Sequence, residues 1–229
     1  MRNNRLILLL SFLLICCASL AQPRLRFPEV YVGAHVGAMA STMIFKPTIQ
    51  GVGLSNILIT PNAGLVFRYA GHKVCAVQVE LNYKQRGWKE VLDNVNYTRQ
   101  LDYIELPLLM HLYFGGKHVR GFLNLGPQIG YCIAESKEFS NQWTLNASGN
   151  PDRPNNMYAQ YDLPVKHKFD YGITGGIGVE LNTKAGHFLL EGRYYYGLSD
   201  VFGNSKKDVF SRSNHGAIIA KLSYLIDIN

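Results

Sequence analysis

Between Cys75 and Lys84 apolar and polar residues alternate without a break. Cys75, Val77, Val79, Leu81 and Tyr83 take the odd positions; Ala76, Gln78, Glu80, Asn82 and Lys84 take the even ones, and Arg86 continues that row. Successive side chains on a strand point to opposite faces, so the segment has one apolar face and one polar, charged face. A helix would scatter both sets around its circumference. The pattern recurs along the chain. Phe169, Tyr171, Ile173, Ile177, Val179 and Leu181 oppose Lys168, Asp170, Thr174, Glu180 and Asn182. Phe188, Leu190, Tyr194 and Tyr196 oppose His187, Glu191 and Arg193, and Ile218, Ala220, Leu222, Tyr224 and Ile226 oppose His215, Lys221, Ser223 and Asp227. Weaker copies cover 30–38, 63–69, 104–114 and 123–133, which makes eight. Pro107 and Pro127 each remove a ladder donor, so a bulge or an early end of pairing is expected near them.

The connections alternate too. Ala70–Lys73, Gly115–His118 and Thr183–Gly186 are tight, glycine-containing turns, whereas the links at roughly 40–60, 87–99, 135–166 and 201–212 are long and polar. Eight strands joined by short and long links in turn predict an all-β fold, an eight-stranded antiparallel up-and-down barrel with both chain ends on the short-turn side.

Mean hydropathy is near zero, an average over two opposed faces that does not say which face points inward. A soluble ligand-binding barrel puts the apolar face inside; a transmembrane barrel turns it towards lipid. Three features favour the transmembrane barrel. The apolar face carries no charge through the ~9–11 residues that a tilted spanning strand needs. Its aromatics gather near strand ends, with Phe67, Tyr69, Phe114, Phe188 and Tyr224 towards the short turns. Tyr83, Tyr131, Phe169, Tyr171, Tyr194 and Tyr196 lie towards the long loops. The polar face is rich in glycine (Gly126, Gly130, Gly172, Gly176, Gly178), which suits a crowded interior. A soluble periplasmic ligand-binding barrel is the alternative.

The segments LDYIELPLLMHLYFGG (101–116) and VRGFLNLGPQIGYCI (119–133), with YGITGGIGVEL (171–181) and EGRYYYGLSD (191–200), resemble the PorT-like outer-membrane β-barrel family of Gram-negative bacteria. The resemblance spans nearly all of the chain after residue 21 and implies an eight-stranded outer-membrane barrel. The family's namesake acts in protein secretion and in maturation of secreted proteases, so the resemblance also implies an accessory role in secretion with envelope or secretion-system partners. The chain departs from many outer-membrane strands in ending Ile228-Asn229 rather than in an aromatic residue.

Export is expected from the N-terminus. Arg2 and Arg5 precede the apolar run Leu6–Leu20, and Ser19-Leu20-Ala21 has the small-x-small form of a cleavage site, which assigns 1–21 to a cleaved signal peptide and 22–229 to the barrel domain. Of the 23 basic and 16 acidic residues, two basic ones lie in 1–21, which leaves a charge of +5 on residues 22–229. That charge, in blocks of at most two, gives nucleic-acid binding no support. Cys75 and Cys132 fall on opposite faces, so two buried thiols are expected rather than a disulfide.

The polar row carries Arg68, Glu80, Lys84, Arg86, Glu105, Arg120, Glu180, Glu191, Arg193 and Lys221. Eight strands enclose just enough space for side chains, and charges buried there must be paired. A salt-bridged plug is expected, with a narrow polar pore as the alternative. His35, His111 and His215 belong to the same face. Asp93, His167, Asp170, Asp200, Ser211 and His215 approach the long-loop rim, but no nucleophile motif organises them, so no catalytic residue is assigned and no enzyme is expected. Metal-ligand spacing, a phosphate loop and a CxxC pair are missing from the sequence, so neither cofactor nor metal is expected. Trp143, Tyr158 and Tyr161, among Asn, Ser and Pro in the longest loop, are candidates for surface recognition. Outer-membrane lipid is the expected surrounding, and a monomer the expected state.

Overall fold

In the computed structural model, which describes residues 28–47, 56–92, 95–116, 118–139, 165–202 and 210–228, eight antiparallel strands close into a barrel. They are β1 (Glu29–Pro47), β2 (Leu58–His72), β3 (Cys75–Leu92), β4 (Val95–Gly115), β5 (Val119–Phe139), β6 (Phe169–Thr183), β7 (Gly186–Gly197) and β8 (Phe210–Asp227). Each strand pairs with the next, and β8 pairs with β1. Following paired residues round the wall from Val30 leads through Tyr69, Val77, Met110, Leu125, Gly175, Tyr194 and Ile218 to Ala40, a stagger of ten residues. With a rise of ~3.3 Å per residue and strands ~4.8 Å apart, that stagger over eight strands sets a tilt of about 41°.

The two faces separate as the alternation requires. Val36, Leu65, Leu81, Leu106, Leu108, Ile177, Leu190, Ile218 and Leu222 are exposed on the outside, while the opposite parity is buried inside. On β4 the outward residues run from Ile104 to Phe114; ten intervals at the tilt above span roughly 25 Å, the height of the apolar band of an outer-membrane barrel. The aromatics frame that band. Phe188 and Tyr224 pack ring on ring at 5.0 Å near the short turns, and Phe169 and Tyr171 lie 6.4 Å apart near the long loops. An apolar outside and a charged inside are the reverse of a soluble ligand-binding barrel, and that alternative is set aside.

Three expectations change. The links were expected at 40–60, 87–99, 135–166 and 201–212, yet β1 continues to Pro47, β3 and β4 pair as far as Leu92 and Val95, and β5 runs to Phe139. Backbone ladders need no apolar face, so hairpins persist beyond the stretch where alternation marks them. The prolines produce gaps rather than bulges: the β4–β5 ladder passes from Pro107↔Gln128 to Met110↔Leu125 in unchanged register. The register slips elsewhere, between Asp102↔Ala134 and Tyr103↔Cys132, which makes Ile133 the extra residue. Finally, Cys75 and Cys132 form no disulfide, but only Cys132 is buried; Cys75 is half-buried in the outer face.

Candidate functional site

The enclosed space is filled by side chains from the inward parity of all eight strands. Of the ten charged residues that the sequence places there, nine are buried and Arg120 is half-buried at the short-turn rim. They form three levels.

Nearest the short turns, Glu180 of β6 faces Arg68 Nη1 at 2.9 Å and Arg120 Nη2 at 2.7 Å, and His187 Nδ1 lies 2.9 Å from it. Arg120 also stacks over the Tyr113 ring at 3.9 Å. At mid-height, Arg193 of β7 donates from both Nη atoms to the Glu80 carboxylate of β3, each at 2.8 Å, and from Nε to Glu191 at 2.8 Å. Lys221 of β8 reaches Glu80 at 2.7 Å and Glu191 at 3.2 Å. Two carboxylates therefore hold two cations. Gln78 also donates to Glu80 Oε1 at 2.5 Å, and Asn124 to Glu191 Oε1 at 2.9 Å. Towards the long loops, Glu105 of β4 pairs with Lys84 at 2.7 Å and with Arg86, and accepts from Gln128 at 2.8 Å. Arg86 continues to Asp170 at 2.5 Å and lies over the Tyr195 ring at 4.1 Å.

These bonds follow from burial. A desolvated charge is tolerable only when paired and hydrogen-bonded. The bidentate Arg193–Glu80 contact is the strongest form of such a bond. Glycine makes the room. A Cβ on Gly178 would lie 2.3 Å from the Phe122 ring, and one on Gly176 2.5 Å from Glu191 Oε1.

Several participants are not among the ten. Asp170 accepts from Tyr195 at 2.7 Å and from Ser199 as well as from Arg86; it belongs inside the barrel rather than among rim candidates. It shares parity with Thr174 and Glu180, a signal the sequence does carry. Of the other rim candidates, His215 is buried with Nε2 3.3 Å from the Tyr103 hydroxyl. His167 is exposed, and Asp200 caps the Ser213 backbone N–H at 2.6 Å. Asp93 and the Ser211 side chain lie outside what the structure describes. So do Trp143, Tyr158 and Tyr161.

The charges do not fill the interior alone. Beside the Glu180 group Tyr31, Val66, Tyr113, Phe122, Leu189 and Leu225 form an apolar cluster at the short-turn end. Above them Met43, Trp88, Leu101, Tyr103, Val201 and Phe202 form a second layer at the long-loop end. Trp88 is fully buried there, edge-on to Phe45 and Phe202 at 5.3 and 6.2 Å, and Arg99 lies over the Phe202 ring at 5.0 Å. Arg99 is itself paired with Glu135 at 2.5 Å. The polar network is thus flanked by one apolar cluster at each end of the barrel. Among the described residues, no group of three or more His, Cys, Asp or Glu has the arrangement of a metal site.

Among solved structures, the outer membrane protein OprG of Pseudomonas aeruginosa is 14% identical, with 87% of this chain and 96% of that one covered and a TM-score of 0.49. Ail, the attachment invasion locus protein of Yersinia pestis, is 16% identical, with 86% and 99% covered and a TM-score of 0.40. Outer membrane protein W of E. coli is 14% identical, with 85% and 97% covered and a TM-score of 0.40. No curated protein matches the sequence. Residues 21–203 match the family model described as outer membrane protein beta-barrel domain. The chain belongs to the outer membrane protein beta-barrel domain family.

Proposed function

We propose that this protein is a sealed, non-enzymatic barrel of the outer membrane whose long-loop end serves as an interaction surface at the cell exterior. The observation that supports a sealed barrel is the closed pairing of the interior: Glu80, Glu105, Glu180, Glu191 and Asp170 each meet at least one cation, with an apolar cluster at each end of the barrel. Ions crossing such an interior would have to displace paired charges and pass the ring of Trp88 and Phe202. In planar bilayers the folded protein is expected to show no stable conductance; a steady single-channel current would refute the sealed reading and favour the narrow pore.

The short turns, the start of β1 and the end of β8 then face the periplasm, as in barrels of this class. Residues 1–21 act as the export signal and are removed, the protein is monomeric in lipid, and it has no cofactor. The long-loop hairpins, extended past the bilayer, carry the loop with Trp143, Tyr158 and Tyr161 as the recognition element. The resemblance to PorT-like proteins supports an accessory part in secretion as the client process. Deleting 140–160 is expected to preserve heat-modifiable folding while abolishing binding to envelope or secretion-system proteins. Unchanged binding would reject that surface.

A further inference from the structure

The outward row of β1 reads Val30, Val32, Ala34, Val36, Ala38 and Ala40, so nothing larger than valine stands on it from 30 to 40. Its neighbours differ near the short turns. Phe67 and Leu65 of β2 pair with Val32 and Ala34 on one side, and Ile226 and Tyr224 of β8 pair with the same two residues on the other. A low strand between two tall ones makes a groove in the outer wall. Val32 and Ala34 form its floor and the four larger side chains its walls, and it encloses about 570 Å³. Small-molecule sites have this size, ~300–1,000 Å³. Among the described residues no charged side chain lines it, and the Tyr224 hydroxyl is engaged, donating to the Ala185 carbonyl.

The groove is held open. Tyr224 is anchored by that bond and backed on its far side by Phe188, ring on ring at 5.0 Å, so its ring does not fold down over Ala34. Phe67 is backed by its pair partner Val79 of β3. A concavity with fixed walls binds without the cost of ordering them.

Its dimensions choose the occupant. The walls stand on β2 and β8, two strand spacings or ~10 Å apart between backbones. Side chains narrow that gap to the width of a polymethylene chain, which excludes a helix ~10–12 Å across and the convex wall of a second barrel. From Val30 to Val36 the floor climbs six residues, ~15 Å of depth at ~3.3 Å per residue and the tilt of about 41°. That is half of a ~30 Å hydrocarbon core, the reach of one acyl chain from the short-turn interface to the midplane. Beyond it the walls fall away, at Ala63 of β2 and Ala220 of β8. Lipid tails are as apolar as the wall, so burial alone holds nothing there. A chain elsewhere on the convex wall touches protein along one side, whereas in the groove it touches a floor and two walls, and the added dispersion contacts retain it.

We propose that this groove docks one acyl chain of a phospholipid from the short-turn leaflet and keeps it while neighbouring lipids exchange. The proposal rests on the membrane-spanning reading.

The test is native mass spectrometry of the full barrel, released from detergent micelles containing dipalmitoyl-phosphatidylcholine at collision energies that strip loosely held lipid. Wild type is expected to keep one lipid per barrel. Ala34→Leu, which raises the floor, should lose that adduct. Gly192→Leu should keep it, since Gly192 is exposed on the outward row of β7, where a Cβ meets nothing within 4 Å; heat-modifiable mobility checks that both variants fold. Two comparisons need no variant. Dihexanoyl-phosphatidylcholine, too short to fill the groove, should not be retained, and phosphatidylethanolamine and phosphatidylglycerol with two palmitoyl chains should be retained equally. A wild type without retained lipid would overturn the proposal, as would an adduct unchanged in Ala34→Leu or retention that follows the headgroup at equal chain length. Palmitate retained in place of phospholipid would overturn it by giving the groove to a free fatty acid, and a two-barrel mass peak lost in Ala34→Leu would give it to a second copy. Failure of the barrel to insert into lipid vesicles would instead refute the membrane-spanning reading.

Discussion

Glu80 is the residue on which the interior is most directly tested. Its carboxylate is fully buried and accepts from both Nη atoms of Arg193, from Lys221 and from Gln78, all within 2.8 Å. Glu80→Leu leaves Arg193 and Lys221 sharing Glu191 alone, one carboxylate for two desolvated cations. Breaking a buried pair in this way costs about 3–5 kcal/mol, mostly through the charge left uncompensated. Lys221→Met strands the opposite charge, with two carboxylates on one guanidinium, and should cost a similar amount. The double variant Glu80→Leu/Lys221→Met removes one charge of each sign and keeps the Arg193–Glu191 pair, whose Nε and Nη2 contacts measure 2.8 and 3.1 Å. It should therefore sit within about 2 kcal/mol of wild type, which gives a coupling of several kcal/mol rather than a sum. Urea titration of the barrel in lipid vesicles, followed by heat-modifiable gel mobility, measures all four corners of the cycle. Additive losses in the double variant would refute the reading that these charges are held as a balanced set.

Other consequences are equally direct. Trp88→Ala should cost about 3–5 kcal/mol as a large buried side chain lost from a packed layer. In a Trp143→Phe background, Trp88 emission should be blue-shifted and shielded from iodide, and red-shifted, quenchable emission would contradict its burial. Gly121→Ala places a Cβ 2.1 Å from the Phe114 ring, the three closest atoms all belonging to that ring; a loss of about 1 kcal/mol is expected. Phe114→Leu should relieve it, and a loss undiminished in that background would locate the clash elsewhere. Cys75 lies in the outward apolar face and Cys132 inside, so in vesicles neither should react with a membrane-impermeant maleimide until the barrel is unfolded. Labelling of the folded barrel would refute that placement.

Much of this was legible from parity. On β3, β6, β7 and β8 alternation alone fixes which residues share a face, because a strand has no other period, and the aromatic belts then fix which face meets lipid. Asp170 was legible in the same way, through its parity with Thr174 and Glu180, but its position near a strand end suggested the rim. The partner of each charge was not legible. Arg68 meets Glu180 across 112 residues of sequence, and which charges stand at one level depends on the stagger of ten, which no local pattern encodes. The apolar clusters were hidden for a related reason: Tyr113, Phe122, Leu189 and Leu225 occupy the polar parity and read locally as exceptions. Trp88 fell in an expected loop because the β3–β4 hairpin outlasts the bilayer, and a hairpin in water can pair without an apolar face. The slip at Ile133 leaves no mark that sequence alone would reveal.

The ion pairs that cross the interior run in one sense. Arg68 of β2 meets Glu180 of β6, Glu80 of β3 meets Arg193 of β7 and Lys221 of β8, and Arg86 of β3 meets Asp170 of β6. Each joins a strand from the first half of the chain to one from the second. A hairpin lost, duplicated or exchanged with another barrel would therefore strand charges on the hairpins that remain, even where every backbone ladder could be rebuilt. Lineages descending from this chain can vary the loops and the lipid-facing side chains freely. The number of strands is fixed for them by the charges that must find one another when the last strand closes the ring.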